Sequence, residues 1–204
     1  MKQMKVRITF TESVLGTRPA DPEVHSHFVA SKAPNHKSMA EEIEANGVEE
    51  IEERGKTIFS RMEDETPCLW DYQIRGFIKE TLGILYGIPG TKTASDKSNY
   101  RRKKKVDNYI FVYPRQIPLW MPIDKDLSET DCQRPLRAST PMGERTALAH
   151  SEEAPANTYF ECTIECMIDQ DMDYVRECLD YGTRKGLGQW RNSGHGTFTW
   201  EEIA

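Results

Sequence analysis

Near the end of the chain, Gly186–Phe198 ("GLGQWRNSGHGTF") combines glycines, an aromatic ring and two side chains that can meet an anion. Gly186, Gly188, Gly194 and Gly196 permit backbone conformations and close approaches closed to other residues. Arg191 can make paired hydrogen bonds to a phosphate, His195 can contact one, and Trp190 can stack on a base. Two familiar phosphate chemistries fail on position. A Walker loop needs Lys-Ser or Lys-Thr after its last glycine, and His195-Gly196 stands there instead. A dinucleotide fingerprint needs a strand before it and a further strand–helix–strand unit, and too few residues follow Gly196 to build one. Two readings stay open: a loop whose N–H groups and Arg191 hold a phosphate chain, and a tight helix-to-strand crossover with no ligand.

Three further groups of residues bear on chemistry. His25 and His27 in "PEVHSHFV" are of a type that can move a ribose 2′-OH proton near neutral pH. Two apart on a predicted helix, they point in different directions, and they are better explained as surface or half-buried histidines. His36 and His150 have no context, and Asp21 reads as a helix cap. The run Arg101–Lys105, with Lys103 and Lys104 at its centre, is a phosphate- or protein-docking patch or a solvated loop; Tyr100 and Tyr109 flank it. Five cysteines, an odd number without C-x-x-C spacing, read as reduced thiols. No paired Cys/His motif suggests zinc, and the glutamates of 41–53 read as a solvated helix face, so neither metal nor cofactor is expected.

The elements that must position these residues follow from periodicity. Residues 4–10 alternate as a strand with Val6, Ile8 and Phe10 on one side. Helices are predicted from Pro22 and over 40–55, the second interrupted at Asn46-Gly47. In "DYQIRGFIKETLGILYG", Ile74, Phe77, Ile78, Leu82 and Leu85 form a buried helical stripe, with Arg75 and Lys79 on another face. "NYIFVYP" is a strand ended by Pro114, and 132–157 suits a long hairpin with Pro141-Met142-Gly143 at its tip. "TYFECTIECMI" alternates, with Phe160, Cys162, Ile164, Cys166 and Ile168 inward. "MDYVRECLDYG" is a helix with Gly182 as its C-cap, and "TFTW" is a last strand. This order suggests an α+β fold of the ferredoxin-like type. The net charge of −6 argues against an all-over nucleic-acid coat but allows local basic patches at 101–105 and 184–191. No apolar run approaches a membrane span, and the opening residues lack a secretory apolar core, so a cytoplasmic location is expected.

The glycine-rich segment closely resembles the C-terminal signature of the RAMP superfamily, the repeat-associated proteins of CRISPR systems. "YQIRGFIKETLG" resembles the segment that opens a core helix in the backbone subunits of CRISPR effector complexes. "RPLRASTPMGERTALAHSEEAPANTYFECTIEC" resembles, more loosely, their projecting β-hairpin "thumb". The three stretches occur in the family's order, and the whole chain looks like a group of bacteriophage and prophage proteins of this type. The resemblance implies a single RAMP-like domain over 1–204, ferredoxin-like (RRM-like), with insertions near 34–56, 88–108 and 132–157. It implies binding of RNA or another nucleic acid through Gly186, Gly188, Trp190, Arg191, Gly194, His195, Gly196 and Lys185, through the helix positions Arg75 and Lys79, and through Arg134 and Arg137 at the thumb base. CRISPR effector subunits and head-to-tail self-assembly are the implied protein contacts, and an anti-CRISPR role follows from the resemblance to phage proteins. The typical glycine pair of the metal-dependent members is missing around Asp21, so a non-catalytic binder is expected. A metal-independent endoribonuclease using His25 or His27, and a protein-binding scaffold, are the alternatives.

Overall fold

The computed structural model describes residues 1–20, 56–95, 99–122, 127, 130–140 and 143–203, with the main chain alone at 95, 99–103, 136–140 and 143–147. The helices predicted from Pro22 and over 40–55, with Asp21, His25, His27 and His36, lie outside the described residues. So does the tip Pro141-Met142. In chain order the described strands and helices are β1 (Lys2–Phe10), β2 (Val14–Leu15), β3 (Arg18–Pro19), β4 (Thr57–Ile58), β5 (Ser60–Arg61), β6 (Pro67–Trp70), α1 (Asp71–Leu85), α2 (Asn99–Tyr109), β7 (Ile110–Tyr113), β8 (Gln116–Pro118), β9 (Asp131–Thr140), β10 (Gly143–Ala154), β11 (Tyr159–Cys166), α3 (Asp171–Lys185) and β12 (Phe198–Ile203). They form two compact units, one of residues 1–14, 60–124 and 155–204, the other of 15–59 and 125–154.

The first unit is built on a four-stranded sheet of order β12-β1-β11-β7, every neighbour antiparallel. Alternation sets its inner face. Met4, Val6, Ile8 and Phe10 of β1 are buried, as are Phe160, Cys162, Ile164 and Cys166 of β11, and Val6 opposite Cys162 sets the register. Helix α1 begins as Gln73 Oε1 accepts the Trp70 N–H at 2.7 Å, which satisfies one of the N–H groups a helix start leaves open. It buries Ile74, Phe77, Ile78, Leu82 and Leu85, the predicted stripe, together with Thr81. Each such apolar side chain contributes about 1.5–3 kcal/mol on full burial. Helix α3 buries Met172, Val175, Cys178 and Leu179, with aspartates in its first turn and Arg184 and Lys185 in its last, as the helix dipole favours. The rings of Phe77 on α1 and Phe198 on β12 meet edge-on at 5.9 Å.

Two expectations are corrected. Gly182 is not a cap: α3 runs on to Lys185 and Gly186 ends it at φ +76°. Gly182 is there because a Cβ at that position would collide with the Phe77 and Phe198 rings. Ile168 does not face inward. Strand β11 stops at Cys166, and Met167 and Ile168 are exposed in the turn before α3.

The excursion between α1 and β7 is tied down by single carboxylates. Glu177 of α3 accepts from the N–H groups of Lys92 and Thr93 and from the Thr93 hydroxyl, at 2.6–2.9 Å. Buried Asp171 meets Lys105 Nζ at 3.1 Å, and that ammonium also lies 5.5 Å from the Tyr174 ring. The second unit is organised by the predicted hairpin. Strand β10 pairs with β9 from Gly143↔Thr140 to Glu152↔Asp131, and lies parallel to β4 at Ser151↔Thr57. Gly143 is thus the first residue of the returning strand. Buried Glu152 accepts the Phe59 N–H at 2.7 Å.

Candidate nucleic-acid interface

The glycine-rich loop starts where α3 stops and closes on itself. The Leu187 N–H donates to Gly196 O at 2.9 Å, and the Gly196 N–H donates to Ser13 O at 2.8 Å. An ideal Cβ at Gly196 would overlap Leu187 O, so no other residue fits that crossing. Gly186, Leu187, Ser193, Gly194 and Gly196 all donate their N–H groups to protein carbonyls. Gly186, Gly194 and Gly196 therefore serve the crossover, with their N–H groups engaged inside the protein.

The side chains of the loop are held by specific partners. Trp190 sits at φ +52°, a left-handed conformation that costs a tryptophan about 1 kcal/mol or more. Its ring stacks on His195 at 4.9 Å and 14°, yet remains 38% exposed. His195 is held by Ser13, Nδ1 to Oγ 2.9 Å. Arg191 forks onto Glu80 of α1 through two bonds of 2.9 and 3.1 Å, and Lys185 Nζ reaches the same carboxylate at 4.0 Å. Two cations thus share one anion beside the Trp190–His195 stack, which leaves the cluster with net positive charge.

The other sequence-selected residues are distributed more widely. On α1, Arg75 lies 3.7 Å from Asp71 and Lys79 bonds Asp107 of α2 at 2.5 Å. Of the basic run, Lys105 turns inward to Asp171. Lys104 is exposed, and the side chain of Lys103 lies outside the described residues. Arg134 belongs to the second unit, where it is buried and donates to Ser151 Oγ at 3.0 Å. Arg137 pairs with Thr146 in the hairpin ladder, and its side chain lies outside the described residues. His150, without context in the sequence, bonds Asp131 across that hairpin at 2.7 Å.

The sheet face turned away from the helices is ill suited to a phosphate chain. Lys5 and Arg7 are matched there by Glu161, at 3.3 and 2.7 Å, and Arg7 also by Glu201 at 3.5 Å. The hydrogen bond from Arg7 holds the Glu161 carboxyl below the usual carboxylate range, so that carboxylate stays charged. Among the described residues no group of three His, Cys, Asp or Glu side chains comes together to hold a metal ion. No helix there is long and apolar enough to cross a membrane.

No family model and no curated protein matches this chain. Solved structures do. A chain from the cryo-EM structure of the Type III-B Cmr-beta complex bound to cognate target RNA superposes with a TM-score of 0.51 at 11% identity. It is matched by 100% of the present chain, which spans 60% of that chain's length. A chain of a Type IV-B CRISPR complex gives a TM-score of 0.48 at 11% identity, over 100% of this chain and 91% of that one. The fold is thus a mixed α+β one similar to that of a chain in the Type III-B Cmr-beta structure.

Proposed function

We propose that the chain is a non-catalytic binder of single-stranded RNA that works as, or alongside, a subunit of a CRISPR-type complex. The observation that carries this reading is Trp190: a residue held in a strained backbone conformation, its ring stacked on His195 and 38% exposed, next in the chain to Arg191, which shares the Glu80 carboxylate with Lys185. Backbone strain persists where the surroundings enforce it, and it concentrates at binding sites. An exposed aromatic ring in a loop that also carries cations is what holds a base and its phosphates without reading sequence. The likeness to a subunit of an RNA-bound complex supports the same reading.

The sheet order β12-β1-β11-β7 threaded as β1-α1-β7-β11-α3-β12 supports a ferredoxin-like core. Both segments of the second unit leave and rejoin the first along the chain, which supports one RAMP-like domain carrying insertions.

The test is binding of a fluorescent oligouridylate, followed by anisotropy across a salt series. The expected result is binding that weakens steeply with salt and is lost by tenfold or more, as an order of magnitude, in Trp190→Ala/Arg191→Ala. Protein that purifies free of nucleic acid and binds no added RNA overturns the proposal and favours a protein-binding scaffold.

A further inference from the structure

At the opposite end of α1 from the glycine loop, a cleft of about 380 Å³ is lined by Asp71, Tyr72, Arg75, Val112, Tyr113 and Arg115. Its walls are fixed. The Asp71 N–H donates to Arg115 O at 2.9 Å, which ties the turn after β7 to the first residue of α1. The Arg115 guanidinium lies 5.8 Å from the Trp70 ring, and the Tyr72 ring stacks on the same indole at 6.2 Å and 19°. The cleft holds two guanidinium groups against one carboxylate. Arg75 Nε is shielded from solvent and has no acceptor among the described residues, although donors in such places are nearly always satisfied. Tyr72 and Tyr113 expose about half of their surface, 57% and 50%, while Val112 is buried.

We infer that this cleft is a second contact point for the same strand, a subsite that takes one nucleotide, its phosphate on Arg75 and Arg115 and its base on the tyrosine rings. The inference rests on the RNA-binding reading. The size is that of a small-ligand site. An acidic peptide would satisfy the arginines and leave two exposed phenol rings unused. A nucleotide supplies an anion and a flat ring a few ångströms apart, which is what the lining offers. Neither tyrosine nor Arg115 belongs to the glycine-loop cluster, so the two contacts can be separated by mutation.

The experiment uses the full chain, a fluorescent oligouridylate and the same strand with abasic sites, with Tyr72→Ala, Tyr113→Ala and Arg115→Gln compared with wild type after melting curves verify their folding. The subsite predicts about tenfold weaker RNA binding in each tyrosine variant. It also predicts a shallower salt dependence in Arg115→Gln and no effect of the tyrosine changes on the abasic strand. Wild-type affinity in all three variants, with the RNA still lost in Trp190→Ala/Arg191→Ala, overturns the subsite and leaves the RNA-binding reading standing. No RNA binding by the wild type overturns both. An acidic peptide that binds in an Arg115-dependent and tyrosine-independent way also overturns the nucleotide subsite.

Discussion

Replacing Gly182 by alanine adds one methyl group at the place where α3 meets the edge-on pair of phenylalanines. An ideal Cβ there would stand 2.5 Å from Cζ of Phe198, closer still to Cζ of Phe77, and 3.1 Å from Cε1 of Phe198. Carbon atoms want about 3.5–4.0 Å, so each ring would have to retreat by roughly 1 Å or more. Neither has room, since Phe77 and Phe198 are 5% and 1% exposed. Overpacking of this kind costs about 1–3 kcal/mol, and two blocked rings put it near the top of that range. Against it stands the helix preference for alanine over glycine, about 1 kcal/mol. The net expectation is a loss of about 2 kcal/mol, a fall in Tm of about 4–8 °C for a chain of this size. Gly76 supplies the control. It lies in the interior of α1 with nothing within 4 Å of its would-be Cβ. Gly76→Ala should therefore keep the propensity gain and raise Tm by about 2–4 °C. The assay is thermal unfolding of both variants beside wild type. Equal stability in the two variants would refute the close packing of α1, α3 and β12 described above.

Other outcomes follow from the charges and thiols. Burial works against ionisation of Asp131, but the hydrogen bond and charge of His150 outweigh it and hold the carboxyl below its usual range. Its contribution is therefore complete above the unfolded value of about 3.9 and lost as pH falls through the lower folded value. Urea melts of wild type and Asp131→Asn should differ above about pH 4 and converge toward about pH 2; a constant gap would count against the pair. Burial pushes the thiols of Cys162 and Cys166 up to about 12 and that of Cys178 higher still. Alkylation near pH 8, read by mass spectrometry, should label half-exposed Cys132 first and these three only in denaturant. Lys105→Met leaves the buried Asp171 carboxylate without its ammonium and should cost about 1–3 kcal/mol. Adding Asp171→Asn should recover part of that loss, and a double variant no more stable than the single one would argue against the pair.

What could be read from the chain is what local patterning encodes. The alternation of Val6, Ile8 and Phe10, and of Phe160, Cys162 and Ile164, marks strands because side chains in a strand change face at every residue. The Ile74–Leu85 stripe marks a helix for the corresponding reason. Alternation does not say where a strand stops, which is why Ile168 falls outside it. A glycine in a helix does not say whether it ends the helix or makes room for a neighbour, and the rings that decide the matter at Gly182 lie about a hundred residues before it and some sixteen after it. The glycine-rich segment stood out by composition. Its use was hidden, because the carbonyl that receives the Gly196 N–H belongs to Ser13 and the carboxylate that holds Arg191 belongs to Glu80. The Tyr72–Arg115 cleft left only the faint signal of "YPR" beyond a strand, since its other wall is the start of a helix some forty residues earlier.

The place of β1 sets a schedule for the making of this protein. That strand lies inside the sheet, between β11 and β12. Val6 meets Cys162 about 150 residues later, so at a synthesis rate of about 5–20 residues per second its row of Val6, Ile8 and Phe10 waits about 8–30 s for a partner. During that interval an unpaired hydrophobic strand is open to other chains, and the sheet closes only once β11 and β12 have been made. A nascent chain stalled before Tyr159 should recruit holding chaperones that one stalled after Ile203, clear of the exit tunnel, no longer needs.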